Sequence, residues 1–191
     1  MLTVLVIDES RARAGEICAG LALAGYQVAA ILAGADNLTA EVERLQPDVI
    51  LIDTDSPSRD TLENLAAMNK DMPRPVVIFT QEDGRETIRD AVRAGVSAYV
   101  VDGLDPKRIK PIVEVARARF EDTQALRREL DEISQKLSDR KLVDKAKGVL
   151  MKARGLDEEA AYHAMRKLAM ERGQTMAKVA RDVIDMARVL L

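Results

Sequence analysis

Several residues able to bind cations or accept a phosphoryl group stand where short apolar runs end. "TVLVID" closes on Asp8 and is followed by Glu9, "DVILID" closes on Asp53, "PVVIFT" closes on Thr80, and "AYVV" is followed by Asp102. Asp8, Glu9 and Asp53 brought together would repel one another unless a hard cation such as Mg²⁺ neutralised them, and oxygen ligands are what that ion prefers. An aspartate beside such a cation can also act as a phosphoryl acceptor. The plainer alternative is that these acids are remnants, or loop and helix-cap residues with no chemistry of their own.

Which alternative holds depends on the elements that carry them. The runs "TVLVID", "VAAIL", "DVILID", "PVVIFT" and "AYVV" are short and rich in Val and Ile. Such runs read as strands buried on both faces. Between them, apolar residues recur three and four apart, as at Ile17, Leu21 and Ala24 or Leu62, Leu65 and Ala66. Five βα units in tandem predict a doubly wound, parallel α/β domain over residues 1–118. Ligands of such sheets sit at the carboxyl ends of the strands, near the reversal of strand order. In the order 2-1-3-4-5, strands 1 and 3 are neighbours, and Asp8, Glu9 and Asp53 converge.

A second group of candidate residues is basic. Residues 139–191 hold 12 Lys+Arg against 8 Asp+Glu, a net +4, which leaves 17 against 24, a net −7, in the rest of a chain whose total is −3. An acidic front and a basic rear suggest that the rear meets a polyanion. Within it, "DKAKGVLM" (144–151) places Gly148 inside a helical pattern. Glycine there costs about 1 kcal/mol relative to alanine. On a helical projection Leu142, Val143, Ala146, Val149, Leu150 and Ala153 form an apolar face. Lys141, Lys145 and Lys152 line one border, and Arg140, Lys147 and Arg154 the other, with Gly148 and Met151 between the basic columns. Two readings stay open: a notch where a nucleic-acid backbone approaches, or a site where another helix crosses closely.

The rear, residues 138–191, reads as three short amphipathic helices: 139–154 ending at Gly155, a second capped by Asp157 and ending before Gly173, and a third from Thr175 to the C-terminus. The apolar stripe of the third is Met176, Val179, Ala180, Val183, Ile184, Ala187 and Leu191. Between the domains, residues 119–137 form a helical connector. Leu126, Leu130, Ile133 and Leu137 make a coiled-coil seam, which Ile112, Ala116 and Thr123 extend backwards. That seam either joins two copies of the chain as a dimer or packs against the chain's own domains.

Other classes find little support. Cys18 is the only cysteine, so no disulfide framework follows. No apolar run is long enough to span a membrane, and the N-terminus lacks the pattern of a signal peptide, so a cytoplasmic protein is expected. No nucleophile–base pair or phosphate loop points to an enzyme. His163 lacks a ligand partner in spacing and reads as structural.

Residues 1–118 resemble the receiver domain of bacterial response regulators. Asp8 and Glu9 match its acidic pair, Asp53 its phosphoacceptor, Thr80 its hydroxyl switch residue and Tyr99 the aromatic of strand 5. In "AGVSAYVVDG" the family's lysine is replaced by Asp102, followed by Gly103. A carboxylate there repels a phosphoryl dianion, so phosphorylation of Asp53 is not expected to be the operating signal. "RKLVDKAKGVLMKARGLDEEAAYHAMRKLAMERGQTMAKVARDVI" resembles the ANTAR domain, through Arg140, Ala146, Lys147, Gly148, Leu150, Met151, Ala161, Arg166, Ala169, Met170 and Val179-Ala180. The combination resembles the AmiR/NasT group, in its nitrate-assimilation branch. The resemblance implies binding of paired hairpins with hexanucleotide loops in a leader transcript, which prevents termination. It also implies control by a nitrate-sensing partner of the NasS type and a homodimer in the active state, with no cofactor required beyond Mg²⁺ at the acidic pocket if that ion binds. The domain has a single aromatic, Tyr162, so recognition would lean on Arg140, Lys141, Lys145, Lys147, Arg166, Lys167, Arg172 and Gln174 around Gly148. The competing reading is a phosphorylation-controlled regulator whose helical tail binds DNA or only dimerises. The apolar stripe of the third helix counts against a base-reading helix there.

Overall fold

The computed structural model describes residues 1–8, 13–101 and 105–190, with side chains as far as 188. The chain divides into two compact units, Met1–Gln124 and Ala125–Leu191.

In the first unit, five strands form one parallel sheet. They are β1 (Thr3–Asp8), β2 (Gln27–Leu32), β3 (Val49–Asp53), β4 (Val76–Thr80) and β5 (Ala98–Val101), in the order β2-β1-β3-β4-β5. Helices α1 (Ala14–Leu23), α2 (Leu38–Leu45), α3 (Arg59–Asp71) and α4 (Arg85–Arg93) connect them. Three of the five expected strands are buried throughout or nearly so: every residue of β3 and β4 is buried, as are Val4 to Asp8 of β1. The expectation of burial on both faces fails for β2 and β5, which are only half-buried. They are the sheet edges, where one flank lacks a neighbouring strand.

Alternate residues of the strands feed two apolar layers. Leu5, Ile7, Ile50, Ile52 and Ile78 pack with Leu38, Val42, Leu65 and Met68. Val4, Val6, Leu51, Val77 and Phe79 pack with Ile17, Leu21, Ile109 and Val113. Each fully buried side chain of this kind contributes about 1.5–3 kcal/mol. Ile17, Leu21, Leu62 and Leu65 are core residues as the spacing predicts, but Ala66 is exposed and Ala24 half-buried. In α3 it is Met68, three residues after Leu65, that completes the buried face. At Gly20 an added Cβ would stand 2.7 Å from Ile109 Cδ1 and 3.1 Å from Pro106 Cβ, so any side chain there would make Ile109 and Pro106 shift at this approach of α1 to the helix that follows β5.

That helix, α5, runs unbroken from Pro106 to Arg154, 49 residues. Pro106 occupies the first helical position, where a missing N–H costs nothing, and Asp105 Oδ1 accepts from Lys107 N at 3.0 Å. The separate helical start expected near Asp139 does not exist. No glycine or proline falls between residues 112 and 147, so nothing interrupts the hydrogen-bond ladder. Ile109, Val113 and Ala116 are fully buried in the first unit, with Ile112 packed beside them. The seam therefore does not extend back through Ile112, Ala116 and Thr123 as one surface; Thr123 Oγ1 instead donates to Arg119 O. Leu126, Leu130, Ile133 and Leu137 are 62%, 63%, 54% and 53% exposed on α5.

In the second unit, α5 ends at Arg154, Gly155 takes a positive φ of 65°, and α6 (Glu158–Arg172) and α7 (Met176–Leu190) follow. Asp157 caps α6, accepting from Ala160 N at 2.7 Å, and Gly173 ends it at φ 59°. Thr175 Oγ1 accepts from Lys178 N at the start of α7. Ala146, Met165, Ala169, Val179, Ala180 and Ile184 form the small core, with Leu142, Val143, Leu150, Met176 and Val183 against it. Ala153, expected on the apolar face, is exposed, because α5 ends one residue later; Leu191 lies outside the described residues.

Candidate functional site

The parallel register of β1 and β3 sets Asp8 directly beside Asp53, and both residues are fully buried. Each ends its strand, so the two carboxylates share the carboxyl edge of the sheet where its order reverses. Glu9 and Asp102 lie outside the described residues. Thr80, at the end of β4, is buried; its hydroxyl donates to Asp55 O at 2.8 Å and accepts from Glu82 N at 3.1 Å. Tyr99 on β5 donates its hydroxyl to Glu82 O at 3.0 Å. Gln81 N also donates to Asp55 O, so the segments after β3 and β4 are tied together at one carbonyl.

One further residue enters this group. Arg13 Nε is 2.9 Å from Asp53 Oδ2, and Arg13 Nη2 is 3.3 Å from Asp55 Oδ1. Its guanidinium fork spans two carboxylates two residues apart. Burial pushes the Asp53 carboxyl up from its ordinary value; Arg13 pulls it down, and the neighbouring carboxylates Asp8 and Asp55 add to the rise. Asp53 Oδ1 and Oδ2 are both buried and accept no hydrogen bond among the described residues, so Arg13 meets Oδ2 as an ion pair. Two adjacent buried carboxylates fit a hard cation as two of its ligands. Arg13 already supplies a positive charge at the same oxygens.

The basic face of the second unit is built on α5. Lys141, Lys145, Gly148 and Lys152 follow one another at spacings of four, three and four, which puts them in a single row. All three lysines are exposed and make no ion pair among the described residues. A Cβ added at Gly148 would meet nothing within 4 Å. The glycine therefore marks open space in a row of cations, and the close-helix-crossing alternative is set aside.

Lys147 behaves differently from its neighbours. Its Nζ lies 2.7 Å from Asp144 Oδ1 and 2.6 Å from Glu158 Oε1, and only 15% of its side chain is exposed. Those two carboxylates hold the ammonium pKa above its usual value. On α6, Arg166, Lys167 and Arg172 are exposed, as is Gln174 beyond it; Lys167 is 3.9 Å from Glu171. Tyr162 (41% exposed), Arg166 and Met170 (73% exposed) follow at spacings of four, an aromatic ring, a guanidinium and a thioether on one exposed row. Arg140 is exposed on α5. His163 is on the surface rather than in the core, 3.7 Å from Glu159 and edge-on to the Tyr162 ring.

Arg13 and the Lys147–Glu158 link escape a reading of the sequence. The one needs Arg13, just before α1, to come within reach of Asp53 and Asp55; the other needs the turn at Gly155 to bring α6 beside α5.

Comparison with known proteins places both halves. Residues 4–114 match the response regulator receiver domain and residues 131–184 match the ANTAR domain. The transcriptional regulatory protein PdtaR of Mycobacterium tuberculosis is 30% identical over 161 residues, spanning 84% of this chain and 78% of that protein. A nitrate regulatory protein of Klebsiella oxytoca is 37% identical over 83 residues, 44% of this chain and 21% of that protein. A CheY-like receiver domain from Methanospirillum hungatei superposes with a TM-score of 0.56 at 22% identity, over 64% of this chain and 98% of that structure, a likeness of fold alone. With an acidic sheet edge in the first unit and a basic helical bundle in the second, the chain belongs to the AmiR/NasT-type family of regulators, which join a receiver domain to an ANTAR domain.

Proposed function

We propose that the chain is an RNA-binding transcription antiterminator whose ANTAR bundle binds paired hairpins in a leader transcript. The observation that carries this reading is the row Lys141, Lys145, Gly148 and Lys152: three exposed cations flanking a position with no side chain and open space above it. Phosphates are attracted by such a row, and the missing Cβ lets a backbone come close. Arg140, Arg166, Lys167, Arg172 and Gln174 extend the polar contact set. Looped-out bases are read by stacking on aromatic or arginine planes, and the exposed Tyr162–Arg166 pair, one helical turn apart, offers both. Lys147, held by Asp144 and Glu158, contributes by orienting α6 against α5.

The genes controlled are those of nitrate or nitrite assimilation, and the controlling input is a nitrate-sensing partner protein. The support is the likeness to a nitrate regulatory protein over 83 residues. Control by a partner rather than by phosphate is supported by Asp102 at the family's lysine position and by the pairing of Asp53 with Arg13. The active form is a dimer joined along the exposed Leu126, Leu130, Ile133 and Leu137 stripe.

The test is a titration of the full chain with a two-hairpin leader RNA, a single hairpin and a matched DNA duplex, each at two salt concentrations. Tight, salt-sensitive binding confined to the paired hairpins supports the proposal. Preference for duplex DNA, or no binding, overturns it.

A further inference from the structure

The acidic edge of the sheet contains a cation of its own, and its position has a consequence for every other cation that could approach. Asp53 is fully buried and Arg13 Nε is 2.9 Å from its Oδ2. The same guanidinium reaches Asp55 Oδ1 at 3.3 Å, and the carbonyl of Asp55 receives the Thr80 hydroxyl at 2.8 Å. Arg13 thus closes a continuous path of polar contacts from Asp53 through Asp55, Thr80 and Glu82 to Tyr99. A planar guanidinium suits this task because its donors are spread in a rigid fork that can serve two carboxylates at once.

We propose that Arg13 is the resident counter-cation of the acidic pocket and the residue that decides whether a divalent metal ion enters it. A divalent ion at Asp8 and Asp53 would share the Asp53 carboxylate whose Oδ2 Arg13 faces, and a +1 charge at contact distance raises the cost of adding +2. Arg13 keeps 31% of its side chain exposed, so it can swing out into water rather than having to be carried through the core. Opposite charges at this range shift a carboxylate's proton equilibrium by 1–3 units, so competition between Arg13 and another cation is on the order of tenfold or more. The pocket is then neutralised from the N-cap position of α1. This inference does not depend on what the ANTAR bundle binds.

Mn²⁺ is the probe, followed by electron paramagnetic resonance on the full chain, in the wild type, Arg13→Gln, and Arg13→Gln with Asp53→Asn. The expected result is that Arg13→Gln binds Mn²⁺ roughly tenfold or more tightly than wild type and that Asp53→Asn removes the gain. Equal affinity in wild type and Arg13→Gln overturns the proposal, as does a gain that survives Asp53→Asn. Arg13→Lys guards against misfolding of the glutamine variant, because it keeps the charge but not the fork. It should fall between wild type and Arg13→Gln, and an Arg13→Lys affinity no different from wild type, with Arg13→Gln unfolded, also overturns the role assigned to the guanidinium.

Discussion

Lys147 Nζ lies 2.6 Å from Glu158 Oε1, which ties the last turns of α5 to the first turn of α6 across the bend at Gly155. A cation already held by two carboxylates has little left to offer a phosphate. Lys147→Met should lower the thermal stability of the bundle while changing the salt dependence of RNA binding little. Lys145→Ala should do the reverse, leaving melting unchanged and reducing the slope of log K against log salt by roughly 0.7–0.9. Circular dichroism melts and salt-series titrations of both variants measure the contrast. Equal slope changes would mean that Lys147 leaves its carboxylates when RNA binds.

Gly148 separates stability from affinity. No atom lies within 4 Å of the Cβ that Gly148→Ala would add, so the substitution should stabilise the helix by about 0.5–1 kcal/mol. If the open space admits a nucleic-acid backbone, the same variant should bind RNA more weakly. A denaturant midpoint and a binding isotherm on one preparation check both signs. A variant that is more stable and binds equally well would leave the glycine without a role in recognition.

The exposed seam should report on self-association. Leu130 and Leu137 are both more than half exposed, and their replacement by lysine costs the isolated chain little. Leu130→Lys with Leu137→Lys should convert a dimer to a monomer in light scattering, without loss of the far-ultraviolet helical signal. An unchanged mass would locate the self-association surface elsewhere.

Tyr26 gives a pH signature. Burial first, and then its hydrogen bond to Glu114 at 2.9 Å, push its hydroxyl from 10.0 up to about 12. The fold favours the protonated phenol, so its stabilisation is complete below pH 10 and is lost as pH rises through about 12. With Tyr99→Phe and Tyr162→Phe, Tyr26 becomes the sole tyrosine, and its ultraviolet titration should have a midpoint near 12. A midpoint near 10 would mean that the hydroxyl is solvated in solution.

Much of the first unit was legible because its information is local. Runs of Val and Ile specify strands, and the crossover rule then fixes a parallel sheet, which sets Asp8 beside Asp53. The caps at Asp157 and Gly173 were equally readable, since each depends on one residue's own geometry. What stayed hidden depends on approach in three dimensions. In the sequence Arg13 is an ordinary arginine; only the fold sets it 2.9 Å from Asp53 Oδ2. Helical spacing allowed both Ala66 and Met68 as inward residues of α3, and only the packing against β3 and β4 selects Met68. The reach of α5 was missed for another reason: a division by function suggested a division of structure, though no glycine or proline marks one between residues 112 and 147.

Asp8 and Asp53 are 45 residues apart in sequence and meet only through the β1–β3 register. An unfolded chain therefore holds no such pair for a cation to find. Whatever binds there binds the native state alone, and its free energy of binding becomes free energy of folding. The acidic edge is thus a thermometer for its own occupancy: a divalent ion that displaced Arg13 would raise the melting temperature with its concentration, and an ion kept out by Arg13 would leave it flat.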